Sequence, residues 1–564
     1  MNGAQYILKT LQEQSIRTLF GYPGGCIMPL YDALVDSNLE HVLCRHEQAA
    51  ALAANGYARA SGGLGVVVAT SGPGATNLMT GIADAFMDSI PVLVITGQVS
   101  SHLIGSDAFQ EVDVLGMTMA IVKHSYLVTS ADELESIIIE AIHLATSGRP
   151  GPVWIDIAKD ALMGEMPPES ASKPTNYHEN KHNVDQASLQ NAIEIIRQAQ
   201  RPLLYSGGGV MSANALDEFR AFANQLNIPH VVSLKGIGNP GLYGALNLGM
   251  LGMHGSRACN ELIEQCDALI AIGVRFDDRA TGAVEHFATN ANIIHIDIDP
   301  AEFHKNKRVS CTLRGEMKSI LQQLTTAFSS TLNIQTWRNH CRATKHQKGL
   351  IPQNLSTDSN NIAGPEFLTA LSAVKKTRSV ISCDVGQHQM WVAQYVDFDH
   401  PRQHLSSGGL GTMGFGLPAA IGACFARPDA QIINISGDGS FMMNIQELAT
   451  IRRHQLPVKI IILDNQHLGL VRQQQELFYQ GRYSAVDLSD NPDFTEIARV
   501  FGFHALQIHN RSQIGPALDT LLSCQGPAML QVHINTDSNV WPMVKPGGAN
   551  HEMLEPEQIK GSAA

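Results

Sequence analysis

The chain has 564 residues, too many for one hydrophobic core, so about three domains are expected. Hydrophobic residues at 44% supply ample core, and a net charge of −13 without a basic block argues against nucleic-acid binding through a basic face. Nine scattered cysteines without a C-x-x-C pair argue against a disulfide framework or a zinc site, and read as small reduced core residues.

The opening MNGAQYILKTLQEQ reads as an amphipathic helix, not a secretion signal, and no uncharged apolar run approaches the roughly 18 residues of a membrane span. A cytoplasmic protein without membrane contact is expected. Short β-branched runs then alternate with helical patterns, the signature of α/β domains with doubly wound parallel sheets. In region 1–165 the strands are GVVVAT, PVLVITG and VWIDIA, with helices around Glu47–Ala60 and Ala75–Met87. A polar linker (164–183) follows. Region 185–342 carries PLLYSGGG, IPHVVSL, ALIAIGVRF and NIIHIDID, and fades into a second polar segment, 343–361. Region 363–540 carries SVISCDVG, QIINISGDG, VKIIILDN and AMLQVHI, and residues 541–564 read as a surface tail.

The third region holds the most specific signal. Strand QIINIS ends in Gly437-Asp438-Gly439, then Ser440 and a predicted helix; VKIIIL ends in Asp464-Asn465, so Asn465 lies 27 positions after Asp438. Both polar groups emerge at carboxyl ends of parallel strands, where open α/β sheets bind ligands. A protein-bound diphosphate needs a divalent ion, and Mg²⁺ takes about six oxygens. Asp438, the amide oxygen of Asn465 and a backbone carbonyl near His467 would leave the remaining positions to phosphate and water. The glycines let backbone approach phosphate. Gly409-Leu-Gly411-Thr-Met-Gly414 also satisfies the dinucleotide pattern G-x-G-x-x-G, but QHLSSGG before it is a poor strand, so the required context is missing.

Glu47 follows an apolar run and opens a helix of small residues, where a carboxylate is expected to be at least partly buried. On local grounds it is equally a first-turn glutamate favoured by the helix dipole.

FGYPGG, RHEQAAA, TSGPGATN, ITGQV, DAFQE, GMLGMHG, RFDDR, DVGQHQMW and GLGTMGFGLPAAIGA, in this order across nearly the whole chain, resemble the catalytic subunits of acetohydroxyacid (acetolactate) synthases, a thiamine-diphosphate family. The resemblance implies pyrimidine-binding, central FAD-binding and diphosphate-binding domains. It implies decarboxylation of pyruvate and transfer of the two-carbon group to pyruvate or 2-ketobutyrate, on the route to valine, leucine and isoleucine. Glu47 would drive the cofactor's tautomer change. Gln387, His388, Gly411, Met413, Gly437, Asp438, Gly439, Ser440, Asn465 and His467 would contact thiamine diphosphate and Mg²⁺, with Met413 beneath the bent cofactor. Gly25, Phe109, Gln110 and Lys123 would line the active site from the glutamate-bearing subunit. Met253, Arg279, Val385 and Gln474 would line the acceptor pocket, with the Arg279 guanidinium as carboxylate partner. FAD would meet Arg149, Gly207, Gly208, Gly209, Met253, His254, Gly273, Arg275, Asp277, Arg279 and Asp297. Active sites between the subunits of a homodimer or homotetramer, and a small regulatory subunit, are implied as well.

One position departs from the family. Biosynthetic members usually carry Trp where this chain has Gln474, in Val471-Arg472-Gln473-Gln474-Gln475. The amide lacks the aromatic contact to an acceptor's extra methyl and resembles the flavin-free catabolic synthases, while RFDDR points to the flavin-binding type. A pyruvate oxidase with a redox-active flavin, a dinucleotide-dependent dehydrogenase and a purely regulatory role remain as alternatives.

Overall fold

In the computed structural model, residues 1–167, 183–242, 246–350 and 360–556 are described. They form three six-stranded, wholly parallel sheets clad in helices. In the first sheet the spatial order is Glu40–Leu43, Thr18–Gly21, Gly65–Ala69, Val92–Gln98, Val153–Ala158, His124–Val128. The third repeats that topology with His404–Ser406, Val380–Cys383, Ile432–Gly437, Lys459–Asp464, Ala528–His533 and His504–Ile508. The second runs Cys311–Arg314, Asn292–Asp297, Ala268–Ile272, Pro202–Ser206, His230–Val232, Asn247–Met250. That is the doubly wound order with a switch point between its first and fourth strands. The central strands are buried on both faces, which is why they read as unbroken Val/Ile/Leu runs.

The first and third sheets are joined through small residues. Helix α1 (Glu47–Ser61) owes its form to an alanine run, the best helix former, with His46 capping its start and Gly62 (φ +79°) ending it. It is sandwiched between α2 (Pro73–Met87) and α3 (Gly416–Ala426). A Cβ on Gly81 would stand 2.5 Å from the Ala51 Cβ, one on Gly56 2.5 Å from the Ala419 Cα, and one on Gly422 would run into the Ala53 carbonyl oxygen. Backbone thus meets backbone, and only glycine and alanine permit it.

Three expectations are corrected. Residues 343–348, expected in a polar linker after 342, complete the helix Gln335–Lys348, whose Trp337, Cys341 and Thr344 are buried against the second sheet's domain. Polar composition marked only its outer face. Residues 351–359 of that segment, most of the first linker (168–182) and the end of the tail (557–564) lie outside the described residues. The stretch before Gly409 does contain a strand, His404–Ser406, too short to register in the sequence pattern. The helix expected after Ser440 starts at Asp438 and spans Asp438–Met442. Seven of the nine free cysteines are buried, and Cys26 and Cys524 are half-buried.

Candidate active site

The third sheet's switch point lies between Val380–Cys383 and Ile432–Gly437. There Val385, Gln387, His388, Gly411, Met413, Gly437, Asp438, Gly439, Ser440, Asn465 and His467 line one cavity of about 200 Å³. Asp438 is buried; burial, and next the neighbouring Asp464, push its carboxyl up to about 8. Its side-chain donor is the Asn491 amide at 3.3 Å, and among the described residues no lysine or arginine pairs with it. A buried carboxylate without a cation invites one. Asn465 Oδ1 accepts from the His467 backbone N–H at 3.2 Å, and its Nδ2 donates to Gln387 Oε1 at 3.1 Å. His388 is buried, its Nε2 has no hydrogen-bond partner, and burial lowers its pKa to about 3, so it faces the cavity neutral. Ser440 Oγ is spent on the Gly437 N–H and carbonyl. Among the described residues no three His, Cys, Asp or Glu side chains converge on a metal position. One carboxylate, one amide oxygen and a backbone carbonyl are instead a hard-oxygen set suited to Mg²⁺ shared with phosphate.

The adjoining cavity, of about 470 Å³, shares Val385 and Gly411 and adds Met253, His254, Arg275, Asp277, Arg279 and Gln474. Arg279 is two-thirds exposed; its Nη1 lies 3.2 Å from Met253 Sδ and its Nε 3.6 Å from Asp278. Its carbonyl accepts from the Met253 N–H at 2.8 Å, which locks the two segments together. The tail reinforces them, since Val544 N–H donates to the Met253 carbonyl and the Asn550 amide to that of Ala280.

At the second sheet's switch point, Gly208, Gly209, Gly273, Arg275, Asp277, Asp297 and Arg149 line a third cavity of about 430 Å³. A Cβ on Gly209 would stand 2.5 Å from Gly273, so the strand-end loops pack backbone to backbone. Asp297 is pushed up to about 6 by burial. Arg149 reaches from the first domain to Asp299 (3.1 Å) and Glu302 (2.7 Å). Gly207 packs against Gly273 and Val274 and does not line this cavity, and Met253, His254 and Arg279 line the second cavity instead.

At the first sheet's switch point stand Gly25, exposed and with open space around it, and Gly72, packed against Gln110. Gln110 holds a left-handed backbone (φ +61°), and Phe109 beside it is 87% exposed. Glu47 is half-buried and accepts from Asn77 Nδ2 at 2.9 Å. The Arg45 N–H donates to Glu447 Oε1 of the third domain at 2.8 Å. Among the described residues none before Val385 lines the Asp438 cavity, so Glu47 is not part of its wall within one chain. Lys123 is placed elsewhere: it lines the cleft between the first and second domains, where its ammonium caps the carbonyls of Leu144 and Ser147. Its neighbours in sequence gave no sign of that helix-end role. Sequence reasoning also passed over Asn77, although it ends the TSGPGATN motif, and Asp384, whose oxygens accept from the Gly414 and Gly416 N–H groups at 2.9 and 3.0 Å.

Family models agree with this division. Residues 1–117 match the thiamine pyrophosphate enzyme N-terminal TPP binding domain, 189–324 the central domain and 384–532 the C-terminal TPP binding domain. The chain is 50% identical over 557 residues to the acetolactate synthase isozyme 2 large subunit of Escherichia coli, covering 98% of this chain and 100% of that protein. It is 44% identical to a probable acetolactate synthase large subunit of Methanocaldococcus jannaschii (99% and 96% covered). It is 42% identical to the chloroplastic acetolactate synthase of Arabidopsis thaliana (98% and 84% covered).

Proposed function

Because the chain belongs to the acetolactate synthase large-subunit family of thiamine-diphosphate enzymes, we propose that it decarboxylates pyruvate and transfers the hydroxyethyl group to a second 2-ketoacid. The products are 2-acetolactate from pyruvate and 2-aceto-2-hydroxybutyrate from 2-ketobutyrate. The observation that carries this reading is the convergence of Gln387, His388, Met413, Asp438 and Asn465 on one cavity that opens into the Arg279 cavity.

Thiamine diphosphate, when bound, supplies the nucleophilic carbon and the electron sink. The chain's residues hold, orient and desolvate. Asp438, the Asn465 amide oxygen and the His467 carbonyl would hold Mg²⁺. Glu47 holds and returns a proton at a pyrimidine nitrogen, and Asn77 fixes its carboxylate. Arg279 binds the acceptor carboxylate through its exposed guanidinium. Phe109 and Gln110 wall the donor side. The cavity at the second sheet's switch point fits FAD, whose diphosphate would lie against Gly208 and Gly209.

Glu47's place outside the wall of the Asp438 cavity, and the bare Phe109, support a homodimer in which each site draws on both copies, alone or paired into a tetramer. Relatives named as large subunits support a small regulatory partner. No described helix is long and apolar enough to cross a membrane, and the reduced cysteines support a cytoplasmic setting. Gln474 in the acceptor wall favours a second reading, a flavin-independent catabolic synthase.

The test is acetolactate formation by the purified chain from pyruvate, thiamine diphosphate and Mg²⁺, with and without FAD. Dependence on FAD supports the biosynthetic type and independence the catabolic one. Peroxide in place of acetolactate would make the chain a pyruvate oxidase and overturn the proposal.

A further inference from the structure

The loop 407–414 carries Gly411 and Met413 into the Asp438 cavity, yet two carboxylates of the first domain, Asp84 and Asp88, help anchor it. Asp88, the C-cap of α2, accepts from the Gly409 N–H at 2.8 Å through Oδ1 and from the Gly408 N–H at 3.0 Å through Oδ2. Asp84, one turn earlier, accepts at Oδ1 from the Ser407 hydroxyl and, at 3.2 Å, from the Thr412 hydroxyl. Ser407 Oγ in turn accepts from the Thr412 N–H at 2.8 Å.

Both carboxylates are buried, and two cations balance them. Arg59 reaches Asp84 (2.9 Å) and Asp88 (2.7 Å), while Lys235 of the second domain meets Asp88 at 3.1 Å and donates to the Ser406 carbonyl at 2.9 Å. Arg59 Nη1 donates to the same carbonyl at 3.1 Å. All three domains therefore meet at one carboxylate.

Helix stability does not account for this arrangement. An anion at a helix C-terminus opposes the macrodipole, and a buried ion network is weak evidence for stability because desolvation offsets its attraction. What the network does achieve is geometric. It fixes the backbone from 407 to 412, Asp384 fixes 414 to 416, and Met413 is left between two clamped segments with its side chain at the cavity. The amides of Gly408 and Gly409 are thereby occupied and do not point free N–H groups at a phosphate.

We propose that Asp84 and Asp88 are positioning residues for thiamine diphosphate, acting through the 407–414 loop and not by touching the cofactor. The inference rests on the reading that this loop lies against the cofactor. Two variants test it. Asp88→Asn keeps the shape and removes the charge that receives both glycine amides. Thr412→Val deletes one hydroxyl aimed at Asp84 and leaves every charge in place. In calorimetric titration of each chain with thiamine diphosphate in Mg²⁺, Asp88→Asn is expected to raise Kd at least tenfold and Thr412→Val at least threefold. At saturating cofactor, the near-ultraviolet circular dichroism of the bound ring is expected to differ from the parent's. The cofactor-free Thr412→Val chain should melt within 2–3 °C of the parent, which separates positioning from a loss of fold.

Should Asp88→Asn fail to fold, Thr412→Val decides alone. A Kd within twofold of the parent and an unchanged spectrum for Thr412→Val overturn the proposal. A parent chain that does not bind thiamine diphosphate overturns the reading beneath it instead.

Discussion

The side-chain amide of Asn77 donates to the carboxylate of Glu47 across 2.9 Å, joining the first residue of α1 to the second turn of α2. Glu47→Gln preserves the acceptor oxygen for Asn77 but removes the group that exchanges a proton. Acetolactate formation at saturating pyruvate should fall by about 10²–10⁴-fold with the melting temperature nearly unchanged. Asn77→Ala should cost about tenfold or less, since the carboxylate remains and only its aim is lost. A Glu47→Gln enzyme of near-parental rate would remove Glu47 from the chemistry.

Asp438 is a buried carboxyl with no lysine or arginine partner among the described residues, and burial makes its ionisation costly in the cofactor-free chain. Asp438→Asn should therefore leave the cofactor-free melting temperature unchanged or raised. The stabilisation that Mg²⁺ and thiamine diphosphate give the parent through mass action should be largely lost. Thermal scans with and without both ligands check the two signs together.

Gln474 lies with Val385 and Met253 around the cavity proposed to take the acceptor. A flexible amide offers little apolar contact to an extra methyl group, so competition between pyruvate and 2-ketobutyrate should give a weakly biased product ratio. Gln474→Trp should shift that ratio towards 2-ketobutyrate by at most about 1–3 kcal/mol. An unaltered ratio would show that the wall does not read the methyl.

A Cβ at position 422 would meet the Ala53 carbonyl oxygen, backbone that has little room to retreat. Gly422→Ala should destabilise the chain by roughly 1–3 kcal/mol, the usual cost of overpacking. It should also loosen the first domain from the third. Denaturant unfolding followed by two probes, one in each domain, checks both effects.

Burial lowers the pKa of His41 and His254 to about 4 and of His230 and His404 to about 3, from an ordinary 6.5. The unfolded chain takes up these protons near pH 6.5 while the folded chain takes them up only near 3–4. Their stability contribution is thus complete above pH 6.5 and is lost progressively as the pH falls through that window. Each proton gives a slope of about 1.4 kcal/mol per pH unit. His230→Phe should flatten the acid limb of a stability–pH curve by about one proton.

The glycine-acid-glycine turn at 437–439 and Asn465 were legible in the sequence because strand, spacing and residue type agreed. The same holds for the long apolar strands, whose identity local composition decides. What was illegible arose from pairings across hundreds of residues. Nothing near Asp88 announces that it will hold Gly408, and nothing near Lys123 that it will cap a helix at residues 144–147. The strand His404–Ser406 escaped because three residues cannot show a period, and the helix to Lys348 because only its buried face carries a signal.

The alanine face of α1 has a consequence for how the chain is made. Its cover, α3, lies 363 positions further on, counting from Gly56 to Ala419. At about 5–20 residues per second, a ribosome delivers that cover roughly 20–70 s later. Once Val153–Ala158 has been made, the first sheet can be complete for the rest of that interval while one side of its central helix still waits, apolar and bare. The Arg45 amide waits longer, for Glu447. The nascent protein thus carries an early, sticky intermediate as a direct result of the close packing that later joins its domains, and chaperone demand should fall on the N-terminal third.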